Sequence, residues 1–183
     1  MRIITGKLKG RKLSVPENVE LRPTSDRAKE GIFNVIQARR YIEDAVVLDL
    51  FSGTGNLGFE AISRGARSAV MVDVSPVAIK HIEKSASTFG VTNQITAITM
   101  DAEAFLKKNS GKFDLIFCDP PYDHPFIPES IDIILNEGWL DEGGWYILEH
   151  DVRHLFHNHP NCVFTKPYGR TIVSIFLHKE SEE

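Results

Sequence analysis

Two cysteines, Cys118 and Cys162, are too few to staple a 183-residue chain into a disulfide scaffold. Cys118 lies inside an apolar run, so both read as reduced thiols of a cytoplasmic protein. No apolar stretch approaches the roughly 20 residues needed to span a bilayer, which excludes a membrane helix. The opening Met1-Arg2-Ile3-Ile4-Thr5-Gly6-Lys7 has no apolar core of the signal-peptide kind. Internal repeats, low-complexity tracts and zinc-type cysteine spacings are also missing. His150, His154, His157 and His159 cluster with Asp151, but their spacing fits no dedicated metal site, so no metal is expected. No stripe of aromatics of the RNA-recognition type is present, and the Phe and Trp residues read mainly as core. What is there is ordinary: 42% hydrophobic and 25% charged residues, enough for one soluble domain with a sizeable core. A monomer is the default expectation.

The net charge of −4 disfavours a nucleic-acid partner only until its distribution is read. Residues 1–40 carry ten Lys/Arg against four Asp/Glu, and residues 41–183 carry eleven against twenty-one. A basic N-terminal segment on an acidic body suggests a localised phosphate-binding footprint. We therefore divide the chain into a basic extension, 1–40, and a main domain, 41–183.

Arg2 to Val15 alternates basic and apolar residues around Gly6 and Gly10, the pattern of a short hairpin. Thr24-Ser25-Asp26 supplies N-cap residues for a helix running to about Arg40, with Ile32, Val35 and Ile36 inward. From Ala45, strands alternate with helices. The strands are expected at Val46–Leu50, Ala69–Asp73, Ile95–Thr99, Phe113–Cys118 and Trp145–Glu149. The helices fall at Asn56–Arg64, Pro76–Phe89, Ala102–Lys107 and Pro128–Asn136, the second opened by the N-cap Ser75 and Pro76. This alternation predicts a mainly parallel α/β sheet covered on both faces. Cys162–Lys166 and Thr171–Leu177, flanking Pro167-Tyr168-Gly169-Arg170, close it with an antiparallel hairpin, for seven strands in all.

The most informative segment is Phe113-Asp114-Leu115-Ile116-Phe117-Cys118-Asp119-Pro120-Pro121-Tyr122. A buried strand ends at an acceptor carboxylate, two carbonyls with no competing N–H and a flat aromatic ring. The C-terminal edge of an open α/β sheet is where ligands bind. This set suits an exocyclic amine on a planar base, with Asp119 and a proline carbonyl accepting its hydrogens and Tyr122 stacked on the ring.

Val46 to Gly58 reads as strand, glycine turn and helix start, and Gly53, Gly55 and Gly58 satisfy the dinucleotide-binding pattern. Asp49 argues against a pyrophosphate there, because a second anion would be repelled, and favours a ligand carrying cationic groups. Asp73 ends the next strand, where an acid accepts ribose hydroxyls in either cofactor class. Asp101 follows the third strand, and helix capping explains it as well as a ligand does. Acids at four successive strand ends nonetheless make one coherent site.

Asp119-Pro120-Pro121-Tyr122 resembles the signature of amino-methyltransferases, which move a methyl group from S-adenosylmethionine to a nucleobase amine. The order of elements resembles the Rossmann-like class I methyltransferase fold. Arg2–Leu13, Leu21–Arg27, Asp49–Gly58 and Asp119–Tyr122 together resemble the bacterial family that methylates guanine N2 in 16S ribosomal RNA, over nearly the whole length. That family commonly reads Phe-Ala-Gly-Ser-Gly where this chain has Phe51-Ser52-Gly53-Thr54-Gly55, and Glu where it has Asp73.

The resemblance implies S-adenosylmethionine as cofactor, held by Asp49, Phe51, Ser52, Gly53, Gly55, Asp73, Val74, Asp101 and Ala102. It implies in-line methyl transfer at Asp119, Pro120, Pro121 and Tyr122, and 16S rRNA, in a 30S particle, as partner. Arg11, Lys12, Arg22, Thr24, Arg27, Lys166 and Arg170 are candidate RNA contacts, with salt bridging to Asp26 or Glu30 the alternative for Arg22 and Arg27. The rival readings are an adenine-N6 methyltransferase acting on DNA or RNA, an NAD-dependent oxidoreductase supported by the glycine pattern alone, and a non-catalytic RNA-binding module.

Overall fold

The computed structural model describes residues 1–16, 26–39 and 42–178. Parallel strands β1 (Val46–Leu50), β2 (Ser68–Asp73), β3 (Ile95–Thr99), β4 (Phe113–Cys118) and β5 (Leu140–His150) alternate with helices α2 (Asn56–Ser63), α3 (Pro76–Phe89), α4 (Ala102–Lys108) and α5 (Ile127–Asn136). Helix α1 (Asp26–Arg39) precedes them, and β6 (Cys162–Tyr168) and β7 (Thr171–Leu177) follow. One seven-stranded sheet results, in the order β3-β2-β1-β4-β5-β7-β6, with β7 antiparallel to both neighbours. The expected architecture is therefore present.

Strand alternation divides the core between the two faces. Val47, Met71, Leu115 and Phe117 pack under α1, α2 and α3, while Leu48, Leu50, Val72 and Ile116 pack under α4 and α5. Ser75 caps α3 by accepting the Ala78 N–H, ahead of Pro76 at N1.

The differences from expectation are local. β5 begins at Leu140 rather than Trp145, because Gly143 and Gly144 hide an irregular stretch where the register against β4 shifts between Phe113 and Leu115. Gly144 tolerates no side chain there, since a Cβ would come within 2.9 Å of the Phe113 carbonyl oxygen. A short 3₁₀ turn at Thr92–Gln94 precedes β3, where no helical signal stands in the sequence. The last hairpin turns on two residues, because β6 runs through Pro167 to Tyr168 before Gly169 adopts φ +67. Proline is accommodated there because β6 is the terminal strand of the sheet. Glu149 and His150 end β5 and are 2% and 1% exposed, and His150 hydrogen-bonds Ser174 on β7.

The N-terminal segment makes one antiparallel bridge, Arg2 to Lys12, and buries Ile3, Leu8 and Leu13 in the same cluster as α1 and the sheet. It is strapped to α2: Glu60 accepts the Ile4 and Thr5 N–H groups at 2.8 and 3.0 Å, and Ser63 carbonyl and hydroxyl accept from Lys7 and Leu8. Gly6, at φ +87, permits this approach, because a Cβ would lie 1.8 Å from the Ser63 carbonyl oxygen. Gly6→Ala is accordingly expected to cost 2 kcal/mol or more, about what overpacking against a rigid neighbour costs, read as a lowered urea midpoint with unchanged m-value. A midpoint equal to wild type would mean the turn docks another way.

Candidate active site

The chain runs outward from β1 to β3 and returns to β4, so the topological switch point lies between β1 and β4. Leu50 and Cys118 are paired neighbours across it, which sets Phe51 and Asp119 side by side at the C-terminal edge. The two loops also touch: the Phe51 and His124 rings meet edge-on at 5.0 Å. Phe51 has φ +55, a left-handed conformation that non-glycine residues seldom adopt and that clusters at functional loops.

Three acids line the part of this edge formed by β1, β2 and β3. Asp73 accepts the Gly53 N–H on Oδ2 and the Ser75 N–H on Oδ1, both at 2.8 Å, tying the glycine turn to the end of β2. Each oxygen keeps lone-pair capacity for ribose hydroxyls. Ser52 spends its N–H and hydroxyl on the Val72 carbonyl, so its role is to hold the turn. Gly53 and Gly55 take φ +53 and +76, and a Cβ on Gly53 would meet nothing within 4 Å among the described residues. Asp101 caps α4 through the Ala104 N–H, so the capping explanation for it is realised, and its exposed position at the same edge is compatible with a ligand as well. Ala102 is buried behind it, while Val74 is 68% exposed beside Asp73, an apolar surface available to a purine ring.

Asp49 is buried and accepts the Gly58 N–H at 2.9 Å. Gly58 is needed for this contact: a Cβ would come 2.5 Å from Met71 and 3.1 Å from Asp49 Oδ2. Burial pushes the Asp49 carboxyl up to about 7; the Gly58 N–H opposes the rise, and the charges of Asp119 and Asp73 add to it. The donor and acceptor set fits S-adenosylmethionine. It has acids for cations and hydroxyls, and the Asn56 Nδ2 beside the glycine turn is a buried donor without a hydrogen-bond partner among the described residues.

A testable pH dependence follows. With its folded pKa above the unfolded value of 3.8, Asp49 holds its proton more tightly when folded. Its stabilising contribution is therefore present in acid and is lost as pH rises from about 4 to about 7. Asp49→Asn should gain stability relative to wild type across that window, by about 2–4 kcal/mol, and level off above it. Cationic cofactor draws the carboxyl toward ionisation, so wild-type affinity for S-adenosylmethionine should rise through pH 7 while that of Asp49→Asn stays flat. Parallel pH profiles for both proteins would contradict this account of Asp49.

After β4, Asp119 is half-buried, Pro120 is buried and Pro121 is exposed. The Pro121 carbonyl accepts the His124 N–H at 2.9 Å. Tyr122 hydrogen-bonds Thr171 Oγ1, anchoring its ring to the start of β7. Burial pushes the Cys118 thiol up to about 12, so the residue beside Asp119 is no nucleophile at neutral pH. His124 and Thr171 belong to the site without standing in any recognisable motif.

The candidate RNA contacts do not converge. Lys166 and Arg170, both exposed, lie on the terminal hairpin near Thr171 and so near Tyr122. Arg11 lies at the other edge of the sheet, its guanidinium 5.9 Å from the Phe89 ring centroid at the end of α3. Lys12 is exposed and bridged to Arg2. Arg27 is exposed on α1, whose Asp26 faces Arg2 at 4.0 Å. Arg22 and Thr24 lie outside the described residues.

The site also holds residues that motif reading misses. Lys29 is fully buried and bonds Asn56 Oδ1 and the Arg2 carbonyl, each at 2.7 Å, and it pairs with Glu60 at 3.3 Å. It thereby joins α1, the N-terminal segment and the glycine turn. Thr54 in that turn donates to the Met1 sulfur. The signal for Lys29 was a lysine on the apolar stripe of Ala28, Ile32, Phe33 and Ile36.

Known proteins share this arrangement. The small-subunit ribosomal RNA methyltransferase D of Escherichia coli (strain K12) is 34% identical over 152 residues, 83% of this chain and 75% of that protein. The enzyme of the same name from Haemophilus influenzae is 32% identical over 182 residues, 98% of this chain and 93% of its own length. A solved Escherichia coli structure, described as a candidate methyltransferase, superposes with a TM-score of 0.85 at 30% identity, covering 99% of each chain. Residues 1–177, from the basic segment through the last strand, match the family model described as conserved hypothetical protein 95, and the chain belongs to that family.

Proposed function

We propose that this chain transfers a methyl group from S-adenosylmethionine to the exocyclic N2 amine of a guanine in small-subunit ribosomal RNA, within an assembled or assembling particle. Family membership supports the broader statement, an S-adenosylmethionine-dependent rRNA methyltransferase. The observation that carries transfer to a nucleobase amine is Asp119-Pro-Pro-Tyr set at the switch point against the glycine turn, and the choice of guanine N2 rests on the family resemblance.

Asp49, Phe51, Ser52, Gly53, Gly55, Asp73, Val74, Asp101 and Ala102 would hold the cofactor, which supplies an electrophilic methyl on a sulfonium. Asp119 accepts one hydrogen of the amine. The Pro120 carbonyl is the favoured second acceptor, since that of Pro121 is already engaged by His124. As the amine attacks, positive charge develops on nitrogen, and these two preset acceptors stabilise it without reorganisation. Tyr122, oriented by Thr171, offers its face to a base taken out of its stack. Residues 1–40 act as the RNA-facing extension of the 41–183 transfer domain. The hairpin turn carrying Arg11 would meet RNA far from the reacting base, as backbone contacts that position rather than specify.

The experiment offers labelled S-adenosylmethionine with naked 16S rRNA, with 30S particles lacking native methylation, with duplex DNA and with ribosomal protein. Label in RNA, with particles preferred, is the expected result. Label in DNA or protein alone would overturn the substrate assignment.

A further inference from the structure

A cleft of about 300 Å³ separates α1 from the terminal strand β6, away from the cofactor and the reacting amine. One wall is a single helical stripe, Gly31, Asn34, Val35, Ala38 and Arg39. The other is one face of β6, where Phe164, Lys166 and Tyr168 alternate. Tyr168 seats on Gly31, where a Cβ would come 2.4 Å from its ring, so the glycine sets how closely the walls meet.

Two cations, Arg39 and Lys166, line this cleft. Arg39 lies 6.0 Å from the Phe164 ring centroid, and Lys166 lies 5.4 Å from that of Tyr168. Among the described residues neither cation pairs with a carboxylate. Both cations are exposed and lie beside aromatic rings, a presentation suited to anions. The cleft also begins at the catalytic mouth. Tyr168 is the cross-strand partner of Thr171, whose hydroxyl binds Tyr122. From there to Phe164 the strand covers about 13 Å, and it descends the face of the sheet that carries the basic N-terminal segment.

We infer that this cleft binds the phosphodiester backbone of the substrate RNA next to the extruded base, with Lys166 and Arg39 contacting phosphates. The inference rests on the proposed function and adds to it a specific path for the strand leaving the active site. An open cleft of this size, lined by cations and one amide, fits a backbone passing through better than an enclosed small ligand.

The test compares Arg39→Gln/Lys166→Gln with wild type in binding and methylating naked 16S rRNA over a salt series. Lys80→Gln/Lys84→Gln on the exposed side of α3 removes equal charge elsewhere. The cleft variant should bind naked RNA at least about tenfold more weakly, with a salt slope lower by about 1.5 for two lost phosphate contacts. Its affinity for S-adenosylmethionine and its melting temperature should match wild type, and Arg39→Lys/Lys166→Arg should retain RNA affinity. An unchanged affinity and slope on naked RNA would overturn the inference. A loss seen only with 30S particles would also overturn it, and would assign the cleft to an acidic protein segment. Wild-type transfer to RNA reports on the proposed function separately, so failure of the cleft variant to differ leaves that reading standing.

Discussion

Asp119→Ala should lose about 10²–10³-fold in kcat, the typical consequence of deleting one preset group at a charge-developing centre. Affinity for S-adenosylmethionine should stay within about threefold of wild type, because the hydrogen bonds that fix the glycine turn come from Asp49 and Asp73. The larger effect belongs in kcat rather than KM, since Asp119 is proposed to act on the amine as it attacks, not on the remote RNA. One secondary change is expected. Asp119 is among the charges that raise Asp49, so its removal should lower the Asp49 pKa and shift the pH dependence of cofactor binding to lower pH. Wild-type kcat in Asp119→Ala would remove the residue from the mechanism.

The second large effect concerns folding. Glu60 is fully buried and serves four groups at once: the Ile4 and Thr5 amides, Lys29 and the Arg64 guanidinium at 2.9 Å. Glu60→Ala strands a buried lysine and removes the acceptor of two partly buried amide bonds, which should cost about 3–5 kcal/mol. In a domain of this size that lowers the Tm by roughly 10 °C. Lys29→Met should cost less, since Glu60 keeps Arg64 and both amides. The Lys29→Met/Glu60→Ala double variant should lose less than the two single losses summed, because no lysine charge is then left without its carboxylate. The network reaches the glycine turn through Asn56, so the single variants should also weaken cofactor binding. Strictly additive stabilities in this cycle would show that the two side chains do not act as a pair.

Much of the fold is legible in the residues. Continuous apolar runs, each ended by an acid or a glycine turn, mark β1 to β4, and Ser75-Pro76 marks α3 because capping is local chemistry. The first half of β5 is not legible, because Gly143 and Gly144 look like a break while tertiary pairing with β4 keeps the strand going. The acids of the site are visible for the same reason as the strands, since strand ends are where the sequence changes character. Their partners are not. Thr171 is 49 residues from Tyr122 and Glu60 is 31 from Lys29, and no spacing rule connects such pairs. Height on the sheet is equally hidden. The basic segment reads as one footprint, yet Gly6 and Arg11 dock at the edge opposite Asp119, because α2 and α3 run back from the site before the segment meets their ends.

The identity of the methylated amine separates guanine-N2 from adenine-N6 transfer. Small-subunit RNA labelled by this enzyme should be digested to nucleosides and the labelled species identified by mass spectrometry. N2-methylguanosine from a single position is the predicted product and would join cofactor, amine and substrate class in one result. N6-methyladenosine would keep the fold and the acceptor role of Asp119 while contradicting the assignment to guanine.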